Sequence, residues 1–369
     1  MDEHHDLPPA SVAVVLGTRP EVVKLAEVVR LLGPAARVVH TGQHYAYELA
    51  RVFLDELGLP GPHVQLDIGG ASRGHQIGEA IRRLDEHFAA EPPAAVVVQG
   101  DTNTVLAGAV AANARQIPLV HVEAGLRSFD RAMPEEHNRV VTDHLADLCC
   151  APTEVNRRNL LDEAVAASRI VVTGNTVVEA VERMLPGPAE RKAELDNFGL
   201  SPAAFVLATL HRPENVDDRG RLQAILDELR SLPVPVLLPV HPRTQQRVRS
   251  FGVGGALTRL ITTPPLSYGR FLALAAECAM LVSDSGGIQE EASVLKRPVV
   301  VVRNSTERPE VLGTFAELVR PGPALGRIAR GWLQDLAALH GRLADEPSPY
   351  GDGSASQRTV AALTALFER

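Results

Sequence analysis

Ala95-Val96-Val97-Val98-Gln99-Gly100-Asp101 decides how the rest of the chain is read. An unbroken apolar run that ends in a glycine and an acid, with the Ala-rich stretch 103–114 behind it, reads as a strand covered on both faces by helices. That is the habit of parallel sheets in α/β proteins. Further on, Ile117-Pro118-Leu119-Val120-His121-Val122 runs out into Glu123 in the same way. Ligands of such sheets bind in the crevice outside the carboxyl ends of the strands, so Asp101 and Glu123 stand where acid/base chemistry is done. Glu135 and Glu136 follow at the start of a predicted helix. A plainer reading stands beside this one. Asp101-Thr102-Asn103-Thr104 and Pro134-Glu135-Glu136 both have the form of a helix opening, in which a carboxylate only satisfies orphan amide donors.

Outward from this stretch, strand and helix patterns alternate along nearly the whole chain. Strand-like segments lie at Val12–Leu16, Arg37–His40, Ala95–Gln99, Leu119–Val122, Leu148–Ala151 and Ile170–Thr173. After the break Leu185-Pro186-Gly187-Pro188 the pattern restarts with Phe205–Thr209, Val236–Pro239, Arg259–Thr262, Met280–Ser283, Val299–Val302 and Leu318–Arg320. This predicts two doubly wound, Rossmann-like α/β domains in tandem, with a site in the cleft between them as the default expectation.

Composition narrows the class. A chain of 369 residues, 45% hydrophobic, has enough material for two ordinary cores. A net charge of −8 argues against sequence-independent nucleic-acid binding, which needs a basic surface. No apolar stretch approaches a membrane span and the opening MDEHHDLPPAS is not a signal peptide, so a cytoplasmic protein is expected. The three cysteines, adjacent Cys149 and Cys150 and distant Cys278, form neither a disulfide framework nor a metal motif and read as small core residues. His4 and His5 fall in a polar tail, and no HExxH-like cluster appears, so no metal is expected.

Each half carries a loop suited to phosphate. Val12–Leu16 runs into Gly17-Thr18-Arg19-Pro20-Glu21 and a helix holding Lys24, one of only three lysines in the chain. A compact ammonium at a strand end suits an anion, although a lysine can also snorkel along a helix surface. In the second half Ser283-Asp284 leads into Ser285-Gly286-Gly287-Ile288-Gln289-Glu290-Glu291. Small residues at a helix start let a phosphate approach free backbone donors, and Glu291 lies within reach of sugar hydroxyls. The alternative is an ordinary Asp/Ser cap. His211 and His241 end two strands of this half, each beside an arginine, Arg212 and Arg243, which favours anion binding over a purely structural role. No GxGxxG follows a strand, and Gly252-Val253-Gly254-Gly255 reads as a loop; neither a P-loop nor a nucleophile elbow is present.

Taken together the residues resemble the non-hydrolysing UDP-N-acetylglucosamine 2-epimerases, which have the two-domain GT-B fold. The matching segments are GTRPEVVK (17–24), TGQH (41–44), GDTNT (100–104), HVEAGLRS (121–128), MPEEHNR (133–139), TGNT (173–176), LHRPEN (210–215), PVHPRT (239–244), SDSGGIQEEA (283–292), TERPE (306–310) and PYGDG (349–353). The resemblance implies an N-terminal catalytic domain at 1–176, a UDP-binding domain at 177–354, and a final helix, 355–369, that packs back on the first. It implies a homodimer. From the two-domain architecture, with PYGDG preceding the final helix, these residues are expected to couple domain closure to UDP binding. The activity that the resemblance implies is inversion of C2 of UDP-N-acetylglucosamine by anti elimination of UDP to 2-acetamidoglucal, followed by re-addition, and it implies that no cofactor is needed.

The resemblance also carries roles onto named positions. Asp101, Glu123 and Glu135 look like the carboxylates that handle the C2 proton and stabilise the sugar cation, with His211, Arg19 and Lys24 holding the diphosphate and assisting its departure. His241, Ser285, Gly286 and Gly287 are expected around the phosphates, Glu291 on ribose, Phe271 on uracil near Leu266, and Arg308 facing the nucleotide. Gln43-His44-Tyr45-Ala46 departs from the motif that accompanies substrate activation in bacterial members, so such activation is not expected. An epimerase acting on a decorated UDP-sugar such as a diacetamido-uronic acid shares most of these segments. A GT-B glycosyltransferase would share the nucleotide half without needing the carboxylates.

Overall fold

A computed structural model describes residues 7–42, 57–59, 61–70 and 72–368. Gln43-His44-Tyr45-Ala46, His4 and His5 lie outside the described residues. The chain separates into two compact units, the described part of Met1–Ala180 with Tyr350–Arg369, and Val181–Pro349. Unit 1 is built on β1 (Val12–Leu16), β2 (Ala36–His40), β3 (Val64–Gln65), β4 (Ala95–Gln99), β5 (Leu119–Val122), β6 (Leu148–Ala151) and β7 (Ile170–Val172). They form one sheet in the order β3-β2-β1-β4-β5-β6-β7, and each pairing is parallel. Unit 2 holds β8 (Val206–Thr209), β9 (Val236–Pro239), β10 (Ile261–Thr263), β11 (Met280–Ser283), β12 (Val299–Val302) and β13 (Ala316–Val319). Their order is β10-β9-β8-β11-β12-β13, again all parallel. Both units therefore have the doubly wound, Rossmann-like plan of the GT-B class. In each, strand order reverses beside the first strand, so a crevice opens at the carboxyl ends of β1 and β4, and of β8 and β11.

The strands form where they do because both faces are covered. Val96 to Val98 are at most 1% exposed, which only an apolar residue at every position can sustain. The helix Asn103–Ala114 is apolar all round and so must be buried. It lies on the sheet between the helices Arg73–Ala90 and Pro134–Leu145. Close seating needs a residue without a side chain: a Cβ at Gly108 would stand 2.9 Å from Val98 Cγ1. On the amphipathic helix Arg19–Leu32, Val22, Val23, Leu25, Val28 and Val29 are buried, and it packs against the final helix Ala355–Phe367.

Three strands differ from the expectation by more than one residue. β10 begins at Ile261, two residues after the predicted Arg259, because its parallel pairing with β9 starts at Ile261↔Leu237. β3 is a two-residue, half-buried edge strand with no apolar run to announce it. β13 begins at Ala316, upstream of the predicted Leu318–Arg320, because it pairs with β12 from Val299↔Ala316 onward while Glu317 faces solvent. Cys149, Cys150 and Cys278 are all buried free thiols. No described helix is long and apolar enough to cross a membrane.

Candidate active site

In unit 1 the loops after β1, β4 and β5 deliver Arg19, Asp101 and Glu123 to one edge of the sheet. Glycine at residue 17 leaves room beneath the β1 loop for two side chains. The hydroxyls of Thr41 and Thr104 meet at 2.7 Å beneath it, and a Cβ there would stand 2.2 Å from both. Glu21, in the first turn of that helix, reaches back so that its Oε2 accepts the amides of Gly17 (3.0 Å) and Thr18 (2.7 Å). Its Oε1 accepts the Thr102 hydroxyl at 2.8 Å, which ties the β1 loop to the β4 loop. Burial pushes the Glu21 carboxyl up to about 7, and its neutral donors offset that only in part.

The helix-opening reading of Asp101 fails here. The cap of the helix Asn103–Ala114 is Thr102, whose Oγ accepts from Val105 N at 3.4 Å. Asp101 Oδ2 instead takes the Arg139 guanidinium, at 2.5 Å from Nη2 and 3.1 Å from Nε. Glu123 is no cap either. It is 6% exposed, holds a left-handed φ of 68°, and pairs with the buried Lys24 ammonium. Its Oε2 also accepts from Gln99 Nε2 (3.0 Å) and Asn175 Nδ2 (3.3 Å). A non-glycine residue at positive φ stores strain that only an over-determined setting retains, and such strain gathers at functional sites.

Glu135 and Glu136 separate cleanly. Glu136 is buried, pairs with Arg139, and accepts from Ser128 N (3.0 Å), Ser128 Oγ (2.8 Å) and Phe129 N (2.9 Å). It pins the loop before its helix, whereas Glu135 is half-buried on the first turn. Arg139 thus holds Asp101 and Glu136 at once. Behind the loops that follow β4 and β5 lies a fully buried pair. His121 Nδ1 stands 2.6 Å from Asp143 Oδ1, and its Nε2 2.8 Å from the Gly100 carbonyl oxygen. Asp143 Oδ2 accepts from Gly125 N (3.1 Å) and meets Arg127 Nη1 at 2.8 Å. Burial works against its charge, yet His121 and Arg127 hold the carboxyl below the usual range.

Unit 2 brings the expected nucleotide residues to the same edge of its own sheet. The His211 and His241 rings, after β8 and β9, lie with centroids 5.6 Å apart. His241 caps the helix Pro242–Phe251, its Nδ1 accepting from Arg243 N at 3.2 Å. Ser285 caps the helix Gly286–Val294, whose first amides have no partner within the helix. Arg308 is buried against Gly286, paired with Glu307 and donating from Nε to Glu290 at 2.7 Å. Glu291 Oε1 accepts from Tyr268 Oη at 3.1 Å. Leu266 is buried after β10, and Phe271 lies half-buried in the first turn of the helix Tyr268–Glu277.

The arginines beside the two histidines do not act as a pair. Arg243 gives its guanidinium to Asp217, with Nε 3.2 Å from Oδ1, and Arg247 joins it at 2.8 Å. Arg212 lies 4.0 Å from Glu307. Asp284, which the sequence places before the glycine-rich loop with only an ordinary cap as its own role, is a further residue of this site. It is fully buried, stands 3.0 Å from His211 Nδ1, and accepts the amides of His211 (3.0 Å) and Arg212 (2.9 Å) and Asn215 Nδ2 (3.2 Å). Burial alone would raise this carboxyl, but the His211 interaction and the other donors more than offset it, and it lies below the usual range. The only signal for it was strand order, because residue 284 is distant from 211 in sequence yet β8 and β11 are neighbours.

The family model for UDP-N-acetylglucosamine 2-epimerase matches residues 33–364. A UDP-N-acetylglucosamine 2-epimerase of Methanocaldococcus jannaschii is 37% identical over 365 residues, 95% of this chain and 98% of that protein. A UDP-2,3-diacetamido-2,3-dideoxy-D-glucuronate 2-epimerase of Pseudomonas aeruginosa is 34% identical over 365 residues, 96% and 99% of the two chains. Among solved structures, the M. jannaschii UDP-GlcNAc 2-epimerase in complex with UDP-GlcNAc and UDP superposes with a TM-score of 0.83 at 35% identity. That match covers 96% of this chain and 99% of the other. A family match of this extent, over strand-end carboxylates on one sheet and a glycine-rich helix start on the other, settles the kinship: the chain belongs to the UDP-N-acetylglucosamine 2-epimerase family.

Proposed function

We propose that this protein is an isomerase that interconverts UDP-N-acetylglucosamine and UDP-N-acetylmannosamine without net hydrolysis. The observation that carries the reading is the convergence of Asp101 and Glu123 on the ends of adjacent strands, each fixed by a cation, in a chain of this family. C2 of the sugar is unactivated, so its proton becomes removable only as the C1–O bond breaks and positive charge builds on the ring. In the first half-reaction a carboxylate takes the C2 proton, the C2–H electrons form the C1=C2 bond, and UDP leaves with the C1–O pair. Re-addition reverses each step, with the proton returned to the other face of C2.

In this reading Asp101, Glu123 and Glu135 share the proton transfers and stabilise the cation. Arg19, Lys24 and His211 offset the charge of the departing diphosphate. With Asp284 on its Nδ1, His211 is held in one orientation and presents Nε2. Ser285, Gly286 and Gly287 receive phosphate oxygens at the helix start. His241 and Arg308 add positive charge or donors, Glu291 takes ribose hydroxyls, and Phe271 with Leu266 covers the uracil. Lys24 serves two anions in this scheme, because its ammonium already pairs with Glu123. The enzyme works in the cytoplasm, as a homodimer, with no cofactor.

A proton NMR time course with UDP-N-acetylglucosamine in heavy water tests the proposal. UDP-N-acetylmannosamine appearing with deuterium at C2, and no lasting free UDP, is expected. Retention of the C2 proton with no new sugar signal refutes it. In that case the diacetamido-uronate sugar of the P. aeruginosa relative is the next substrate to try.

A further inference from the structure

We infer that Asn175 is a positioning residue for Glu123, an amide whose function is to aim that carboxylate. The inference rests on the proposed reaction, in which Glu123 meets the sugar, and it assigns a role to a residue of the TGNT segment that no expectation above gives it.

Three donors converge on Glu123 Oε2: the Lys24 ammonium, Gln99 Nε2 at 3.0 Å and Asn175 Nδ2 at 3.3 Å. Glu123 holds a backbone φ of 68°, unfavourable for a side chain that is not glycine, so the surrounding contacts determine where its carboxylate points. Two of those contacts come from neighbouring secondary structure, Lys24 on the helix Arg19–Leu32 and Gln99 at the end of β4. The third comes from a loop, and that loop is held with unusual care.

Asn175 is 2% exposed. Its Oδ1 accepts from Val177 N at 3.0 Å, which opens the helix Val177–Met184 and fixes the amide so that Nδ2 faces Glu123. Its own backbone N–H donates to the Tyr350 carbonyl oxygen at 2.8 Å. The preceding Gly174 has φ 88°, and a Cβ there would come 3.0 Å from the same Tyr350 oxygen. The chain returning to unit 1 at Tyr350 therefore presses on residue 174 and bonds residue 175, leaving the amide little room to move. A residue needed only to open a helix would not require a buried donor aimed at a strained acid.

The test separates these two roles because aspartate caps a helix as well as asparagine does, while it cannot donate to Glu123. Asn175→Asp and Asn175→Ala are compared with the wild type for kcat, KM for UDP-N-acetylglucosamine and deuterium entry at C2. Loss of one donor to a charged acceptor corresponds to about a tenfold fall in kcat or more. That fall is expected for Asn175→Ala with KM within about twofold. Asn175→Asp is expected to be at least as slow, since it sets a like charge against Glu123. Recovery of wild-type kcat by Asn175→Asp would assign the residue to helix capping and overturn the inference. Equal kcat in all three proteins would overturn it too, while leaving the epimerase reading intact. A wild type that leaves the C2 proton in place brings down both.

Discussion

Asp284→Asn is the most informative single change in unit 2. The wild-type carboxylate accepts from His211 Nδ1, the amides of His211 and Arg212, and Asn215 Nδ2. An amide of the same shape keeps one acceptor oxygen and turns a donor toward groups that are themselves donors. Its best compromise leaves the oxygen on Arg212 N and Asn215 and points the new NH2 at His211 Nδ1, forcing that ring to move its proton to Nε2. One or two hydrogen bonds to a charged group are lost, each about 1.5–3 kcal/mol, so unit 2 should be destabilised by about 3 kcal/mol. If His211 has the role proposed for it, its change of tautomer should also lower kcat by about two orders of magnitude or more. Trp332, the only tryptophan, packs against the unit 2 core, so urea unfolding followed by its fluorescence reads the unit that carries the change. The wild-type carboxyl lies below its ordinary value, so its contribution is present above the unfolded pKa and lost as the pH falls through the folded one. The asparagine variant should lack that acid sensitivity. A midpoint shift worth less than about 0.5 kcal/mol, with wild-type kcat, would refute the role given to Asp284.

Glu21→Gln should act in the opposite sense. A carboxyl raised from 4.5 to about 7 stabilises the fold at low pH and loses that contribution as the pH rises through 7. The variant should therefore gain about 3 kcal/mol on the wild type between about pH 4.5 and pH 8, measured as urea midpoints; parallel profiles would count against it. Arg139→Ala leaves Asp101 and the buried Glu136 without their shared cation and should cost about 3–5 kcal/mol, read as a lowered Tm. Arg139→Lys keeps the charge but not the two-pronged contact and should fall between. Gly286→Ala places a Cβ 2.6 Å from Arg308 Nη1 and Glu307 Oε1, and should weaken UDP about tenfold by calorimetry. Unchanged affinity there would move the phosphate site elsewhere.

The two-sheet plan was legible because burial on both faces writes itself into the sequence. Val96 to Val98 and Val299 to Val302 are continuous since no position in those strands sees water. β3 was illegible for the converse reason: two half-buried residues at a sheet edge carry no pattern. The strand-end acids were visible, but what each acid does was not. Asp101 and Glu136 share Arg139, and Glu123 shares Lys24 with no local spacing to signal it. The pairing Arg243–Asp217 is likewise tertiary, and it withdraws an arginine that proximity in sequence had attached to His241. Asp284 resembled a cap because caps are local, while its true partners sit on the neighbouring strand's loop.

Glu21 and Asp284 show one device used twice with opposite electrostatic outcomes. Where strand order reverses, the loops after the two central strands part toward opposite faces and leave backbone amides in a crevice with no ladder partner. In unit 1 the carboxylate comes from the β1 side and reaches the hydroxyl of the β4 loop; in unit 2 it comes from the β11 side and reaches the amides of the β8 loop. Both are buried, so both pay desolvation. Glu21 meets two amides and a hydroxyl, all neutral, and burial wins, which raises it to about 7. Asp284 meets a comparable set plus the His211 imidazole, and that group tips the balance toward the charged form. A charged Asp284 is what the role proposed for His211 calls for, because the carboxylate fixes the ring through Nδ1. A near-neutral Glu21 suits its own place, since its carboxyl meets amides and a hydroxyl and no cation among the described residues is there to hold a full charge. The staple is structural in both units, and the donor set around it decides what each unit can do chemically.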